Sequence, residues 1–434
     1  MAIPQDPSPH TFGRRSLFAL GGGLAAATVG LSACGSNTGR APSGSTSTGG
    51  TRPSLSQWYH EYGEDGVEDA VKRYAAAYPD ADITVRWSPG DYEKAIGAAL
   101  LTSKVPDVFE YGNGPTLDMI KAGQVLDLTE SIGTAKDEFT KAVIAPMIWQ
   151  DKVWGIPQTV DMQMLYYRKD LLDAKGVTPP TTFAELVAAA KAVATKQIGG
   201  FFAGNDGGIG VLGSPIIWSA GAEYLNAAKT GIGFANDEVY AGLKAFADFS
   251  SSGGLLPSAS ADWSQPDAFI NGETAMIWTG LWNLPAIEAA MSGKYGVVPF
   301  PKIGANGRQS VPTGAYASVV SAKGTDPAAA KAFVTWLWVD QTDYQLDFSQ
   351  SYGFHIPAKS ALAARADKLK TGAGADAAKF VTDFGHGPDL LWTPATQQAY
   401  TSALSNIVKK GADPKAQIAR VADKARAEIK RLNG

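Results

Sequence analysis

Side chains able to do chemistry are unevenly supplied in this chain of 434 residues. It carries one cysteine, Cys34, and four histidines, against 42 acidic residues, 11 tryptophans and 15 tyrosines. A single thiol cannot close an internal disulfide, and nothing near Cys34 suggests a metal cluster. Histidine is the usual proton shuttle near neutral pH, so its scarcity argues against most hydrolytic and transfer chemistry. No G-x-S-x-G, H-E-x-x-H, P-loop or C-x-x-C pattern occurs. What remains is carboxylate chemistry: Asp161, Asp206 and Glu61, brought together in a cleft, would have the composition of a glycosidase site. The plentiful Trp and Tyr serve as core, as interface or as a flat platform under a ligand ring.

The elements that must position these residues alternate. Leu55–Tyr59 has the length and apolar content of a strand, and Val67, Val71, Tyr74 and Tyr78 recur at helical spacing until Pro79. Ile83, Val85 and Trp87 alternate with polar residues as a second strand. A helix through Tyr92, Ile96 and Leu100 follows, then a short strand over Val105–Phe109. The opening is therefore β-α-β-α-β, which predicts a mostly parallel sheet with helices on its faces and an α/β protein. Further on, Thr182 and Glu185 have capping-box spacing ahead of Leu186, Val187 and Val193. Asp326-Pro327 opens another helix, with proline at the first helical position. A last helix after Asp413-Pro414 buries Ile418, Val421, Ala425, Ile429 and Leu432.

The N-terminus predicts export. Arg14 and Arg15 precede an apolar span of 15 residues, Leu17–Leu31, too short to cross a membrane and typical of a signal peptide. Gly13-Arg14-Arg15-Ser16-Leu17-Phe18 resembles a twin-arginine signal, although paired arginines also occur in ordinary ones. Leu31-Ser32-Ala33-Cys34 resembles the lipobox of bacterial lipoproteins, which implies cleavage before Cys34 and its acylation. Residues 35–54 are Gly, Ser, Thr, Asn, Pro and Ala with two arginines, a flexible tether of about 25 Å root-mean-square reach. Removing residues 1–33 takes away Asp6, Arg14 and Arg15, so 38 basic and 42 acidic residues fall to 36 and 41. A mildly acidic body without a Lys/Arg cluster is a poor nucleic-acid binder. Roughly 380 residues after the tether predict two domains.

Several stretches together carry a resemblance. Val105-Pro106-Asp107-Val108-Phe109 is similar to an "x-P-D-V" strand; Val153-Trp154-Gly155-Ile156-Pro157 leads to Leu165-Tyr166-Tyr167-Arg168-Lys169-Asp170. Phe269-Ile270-Asn271-Gly272-Glu273-Thr274-Ala275-Met276 runs into Gly280-Leu281-Trp282. In this order they resemble the extracellular solute-binding proteins of carbohydrate ABC transporters, the group that includes the maltose-binding protein. The resemblance implies a two-lobe periplasmic-binding-protein-like fold with a hinge, a solute cleft between the lobes, and closure by hinge motion. By analogy the chain crosses between lobes near Val160-Asp161, Pro312–Tyr316 and Asp340–Tyr344. Lobe one would hold residues 55–160 plus 312–342, and lobe two 161–311 plus 343–434.

It also implies a cleft chemistry. A pyranose has an apolar C–H face and a rim of hydroxyls, so it needs an aromatic beneath it and strong acceptors at its edge. Trp282 corresponds to the family's stacking platform, with Trp278 four residues earlier; Asp161 falls where the family places a carboxylate beside the hinge. Asp107, Tyr111 and Asn113 come from the first-lobe strand and its loop, and His60 and Glu61 from the first loop. Asn205, Asp206 and Trp218 belong to the second lobe, and Trp392, Tyr316 and His355 complete the expected contacts. Where the maltose-binding relative has an acid and a base after the first-lobe aromatic, this chain has Gly114-Pro115, so maltodextrin specificity does not carry over. The resemblance implies no cofactor, metal or catalytic residue. It implies a monomer held by lipid at the outer face of the bacterial cell membrane, passing a small carbohydrate to the permease subunits of an importer. A polyamine, which suits acids and aromatics through cation–π contacts, is the alternative solute, and a solute sensor the alternative role.

Overall fold

The computed structural model describes residues 52–352 and 354–433; the export segment and Cys34 lie outside them. Strand β1 (Ser54–His60) is followed by α1 (Val67–Ala76), β2 (Asp82–Ser88), α2 (Tyr92–Ala99), β3 (Val108–Gly112) and α3 (Leu117–Lys121). β1 pairs in parallel with both β2 and β3, with Leu55 opposite Ile83 and Trp58 opposite Phe109. The expected β-α-β-α-β opening is present. In α1, Val67, Val71 and Tyr74 form the buried stripe, while Glu68 and Asp69 in the first turn and Arg73 in the last complement the helix dipole.

β4 (Ile156–Pro157) joins this first sheet, and after Gln158 the chain enters β5 (Thr159–Arg168), the spine of a second sheet. The three longest helices before the next strand are α4 (Phe183–Val193), α5 (Ile209–Ser219) and α6 (Asp237–Ser251). α4 starts with the predicted reciprocal cap. The Glu185 N–H donates to the Thr182 hydroxyl at 3.2 Å, and the Glu185 carboxylate accepts from the Thr182 N–H at 3.0 Å. β6 (Met276–Gly280), β7 (Tyr295–Val298) and β8 (Val311–Gly314) all run antiparallel to β5. One residue later β9 (Tyr316–Val320) returns to the first sheet, between β3 and β4. The chain thus passes between sheets at Gln158 and Ala315.

After α7 (Pro327–Thr335), α8 (Thr342–Asp347) and the residues up to Tyr352 pack on α1, whereas the resemblance implies a second-lobe place for residues from 343 onward. The reason is a specific aromatic and polar contact. Tyr344 stacks on Tyr74 with ring centres 4.7 Å apart, and Asp347 accepts from the Tyr74 hydroxyl at 2.6 Å and pairs with Arg73 at 2.7 Å. The second sheet is rejoined at β10 (Ile356–Pro357), antiparallel to β5, and β11 (Gly385–His386) lies beside β8. α9 (Pro394–Lys410) and α10 (Pro414–Asn433) pack against each other and on α6. Ile418, Val421, Ala425, Ile429 and Leu432 of α10 are buried, as their spacing predicts. No helix among the described residues is long and apolar enough to cross a membrane.

Candidate functional site

The strip Thr313–Tyr316, where the chain passes from β8 to β9, separates two cavities that lie between residues of the two sheets. Gly314 is opposite Asp161 and Tyr316 is opposite Gly112. The strip is crowded here: a Cβ at 314 would sit 2.5 Å from the Asn113 side-chain oxygen, which would have to shift. That crowding comes from Asn113 itself, whose left-handed backbone (φ 60°) tucks its N–H onto the Ala315 carbonyl at 2.7 Å.

The first cavity, of about 450 Å³, is lined by Tyr111, Asn113 and Thr116 on one side and by Trp218, Tyr224, Trp392 and Gln397 on the other. Its aromatic wall is braced. Trp392 stacks on Tyr224 (centroids 4.5 Å, 14°) and its indole N–H donates to Gln397 at 2.6 Å. Trp218 stacks on His386 at 5.1 Å. Burial pushes the hydroxyls of Tyr111 and Tyr224 up to about 12, so both stay neutral hydrogen-bonding groups. Two polar atoms of lining residues are buried and unpartnered within the protein: the Trp218 indole N–H and the Thr313 hydroxyl. Each carries a desolvation penalty.

The second cavity, of about 560 Å³, is lined by His60, Glu61, Tyr62, Glu64, Asp161, Ser264, Asp267, Trp282, Tyr316 and His355. Trp282 is half-buried, with its indole N–H donating to the Ser264 carbonyl at 2.9 Å and Trp263 edge-on at 5.9 Å. Gly280 explains the Gly-x-Trp spacing. The indole lies directly over the Gly280 backbone, in space that any side chain there would occupy. His355 is 3% exposed and held by two acids, Asp161 at Nδ1 and Glu64 at Nε2 (3.2 Å). Burial alone would lower its pKa, but the two carboxylates outweigh that and raise it to about 10. It is a buried imidazolium tying the hinge strand β5 to the loop after β1. His60 stacks on Tyr316 (4.1 Å, 20°) and packs against a tilted Tyr62 (3.9 Å). Carboxylates line both cavities (Glu93, Asp118 and Asp389; Glu61, Glu64, Asp161 and Asp267), whereas no Lys or Arg does.

Of the residues expected at the site, Tyr111, Asn113, Trp218 and Trp392 line the first cavity, and His60, Glu61, Asp161, Trp282, Tyr316 and His355 the second. Four are elsewhere. Asp107 is a brace: it accepts from the N–H and hydroxyl of Ser56 (2.7 and 2.8 Å) and of Thr325 (2.5 and 2.7 Å). Burial pushes its carboxyl up, yet those four donors prevail and hold it below the usual range. Trp278 is fully buried on β6, a strand buried along its whole length, where it bonds to Gln163 at 2.9 Å and lies edge-on to Phe300. Asp206 caps the start of α5 through the N–H groups of Gly208 and Gly210 (2.9 and 2.7 Å). Asn205 ties its loop to Ala259 at 2.8 Å. Missed from sequence were Glu64, Tyr224, Thr313 and Glu110. Only Glu110 gave a signal, as the one acid inside the apolar strand Val108–Gly112. Among the described residues no group of three or more His, Cys, Asp or Glu stands close enough to hold a metal ion.

Similarity to known proteins agrees with this geometry. Residues 60–340 match the model of the bacterial extracellular solute-binding proteins. The galactooligosaccharide-binding protein of Bacillus subtilis (strain 168) is 25% identical over 430 residues, spanning 94% of this chain and 96% of its own. The maltooligosaccharide ABC transporter solute-binding lipoprotein of Streptococcus pneumoniae R6 is 26% identical over 381 residues, 81% of this chain and 83% of its own. In fold, an ABC transporter solute-binding protein of Thermotoga lettingae TMO, solved with α-D-tagatose, matches with a TM-score of 0.74 at 16% identity. That match covers 87% of this chain and all of the other. The chain belongs to the bacterial extracellular solute-binding protein family.

Proposed function

We propose that this protein is the sugar-binding component of an ABC importer, taking a mono- or oligosaccharide between its lobes and presenting it to the permease without breaking a bond. The observation that carries the reading is the Trp282 cavity, which a half-buried indole lines together with Glu61, Glu64, Asp161 and Asp267. That is the pairing a pyranose needs. Relatives named for galactooligosaccharide and maltooligosaccharide binding support the same class. In this reading lobe one comprises roughly residues 55–160 plus 312–352, lobe two roughly 161–311 plus 355–434, and Trp282, Trp392, Trp218, Tyr111, Asn113, His60, Glu61, Asp161, Tyr316 and His355 face the solute. The exported protein is a monomer anchored through acylated Cys34 at the outer face of the cell membrane, by its sequence. One observation favours a second solute class: carboxylates line both cavities and no Lys or Arg does, which also suits a polyamine.

A thermal-shift screen against galacto-, malto- and mannooligosaccharides, their monosaccharides, and spermidine and putrescine separates these. Ligand at 100 times its Kd adds about 2.7 kcal/mol of stability, a shift of several degrees. A rise with one saccharide series supports the proposal. A rise with polyamines alone transfers the site to the second class, and no rise with any saccharide contradicts the first.

A further inference from the structure

Glu110 is 1% exposed on β3 beneath the Trp282 cavity, and among the described residues no Lys or Arg pairs with it. It differs in this from the other buried acid of the same strand end, Asp107, whose four donors all belong to residues remote from the cavities. One Glu110 oxygen accepts the His60 backbone N–H at 2.6 Å and also touches the His60 ring at Nδ1; the other accepts the Tyr62 hydroxyl at 2.9 Å. The contact thus fixes His60 twice, by backbone and by ring, and holds the neighbouring Tyr62. Tyr316 stacks on the imidazole at 4.1 Å and sets its plane, and Tyr62 packs beside it, tilted, at 3.9 Å. Plane, backbone and one ring nitrogen are all held, and the remaining nitrogen, Nε2, belongs to a side chain that lines the cavity.

We infer that Glu110 is a positioning residue that keeps His60 in the Nδ1–H form, leaving Nε2 as a bare acceptor for a ligand hydroxyl or N–H. Where the Glu110 carboxyl is ionised and the imidazole neutral, the carboxylate can only accept, so the ring nitrogen facing it carries the proton and Nε2 is the bare one. The consequence for selection rests on the saccharide reading above. A donor such as a sugar hydroxyl is accepted at Nε2, whereas a carboxylate or phosphate oxygen there would meet a lone pair. This agrees with the absence of Lys and Arg from the cavity lining.

The tautomer is measured on the purified protein, without any ligand, by long-range proton–nitrogen NMR of histidine-labelled material, with the His60 signals assigned through His60→Gln. The expected pattern in the neutral form is a protonated Nδ1 and a bare Nε2. In Glu110→Gln, whose amide can donate as well as accept, that pattern shifts toward Nε2–H. Glu110→Gln should also weaken a neutral oligosaccharide found to bind the wild type by about tenfold, roughly 1.4 kcal/mol. Combined with His60→Gln it should add no further loss, as for a residue acting through the imidazole. A wild-type His60 found as Nε2–H overturns the inference even if no variant folds. An unchanged tautomer in folded Glu110→Gln, or fully additive losses in the double variant, does so too. Failure of every saccharide to bind wild type would count against the saccharide reading, while the NMR result still decides the tautomer.

Discussion

The two cavities flank the same crossing strip, yet they are finished differently. The Trp282 side is organised by charge: His355 between Asp161 and Glu64, and His60 on Glu110, with hydrogen-bonding atoms already committed before a solute arrives. The Trp392 side is an aromatic wall with the carboxylates Glu93, Asp118 and Asp389 among its lining, and the Trp218 N–H and the Thr313 hydroxyl of its lining residues have no protein partners. Preorganisation lowers the ordering cost of binding, and unpartnered buried groups reward a ligand that supplies the missing bond. The first side should therefore set rigidity and orientation, and the second should add affinity only for solutes long enough to reach it.

The sharpest way to break that contrast is at His355. Removing it as His355→Gln leaves Asp161 and Glu64 without their shared cation, and breaking such a buried pair costs about 3–5 kcal/mol. The sign with pH follows from the raised pKa. The folded protein holds this proton more tightly than an ordinary imidazole near 6.5, so the stabilisation is complete below about pH 6.5 and disappears as pH rises through about 10. Melting curves of wild type and variant should differ by several degrees in mild acid and converge over that window; a constant gap would mean His355 acts by packing alone. Next in size is Trp282→Ala, which should weaken saccharide binding by about 2 kcal/mol or more, at least roughly 30-fold, with the fold intact by circular dichroism.

Trp218→Phe is subtler, since it keeps a ring on His386 but removes the orphan donor. It should reduce affinity about fivefold, near 1 kcal/mol, for a trisaccharide and leave a monosaccharide unaffected. Equal losses for both would erase the proposed division of labour between the cavities. The smallest effect belongs to the rim of the Trp392 cavity, where Asp118 on α3 meets Arg431 of α10 through two bonds of 2.6 and 2.9 Å. Both are about half exposed, so Asp118→Asn should shift affinity only slightly, and the shift should vanish in high salt.

How far the sequence could be read depended on whether a residue's role was set locally. The β-α-β-α-β opening, the Thr182–Glu185 cap and the buried stripe of α10 follow from period and capping chemistry, which act within a few residues. The Gly280–Trp282 pair was legible as a motif, and the indole lying on bare backbone gives its physical reason. Trp278 and Asp107 misled because an aromatic or an acid beside a motif has the same letter whether it faces a cleft, a core or a neighbouring turn. The Tyr74–Tyr344 stack, which draws residues 343–352 onto α1, joins positions far apart in the chain and left no local trace. Glu110 left a trace, a charge inside a buried strand, but its partners lie 48 and 50 residues away.

The central claim is that the Trp282 cavity holds a saccharide, and calorimetric titration of one neutral oligosaccharide series into wild type, Trp282→Ala and Trp392→Ala tests it most directly. The account predicts one-to-one binding to wild type, a loss of at least roughly 30-fold in Trp282→Ala for every chain length, and a loss in Trp392→Ala that grows with chain length. Saccharide binding of undiminished affinity in Trp282→Ala would contradict it.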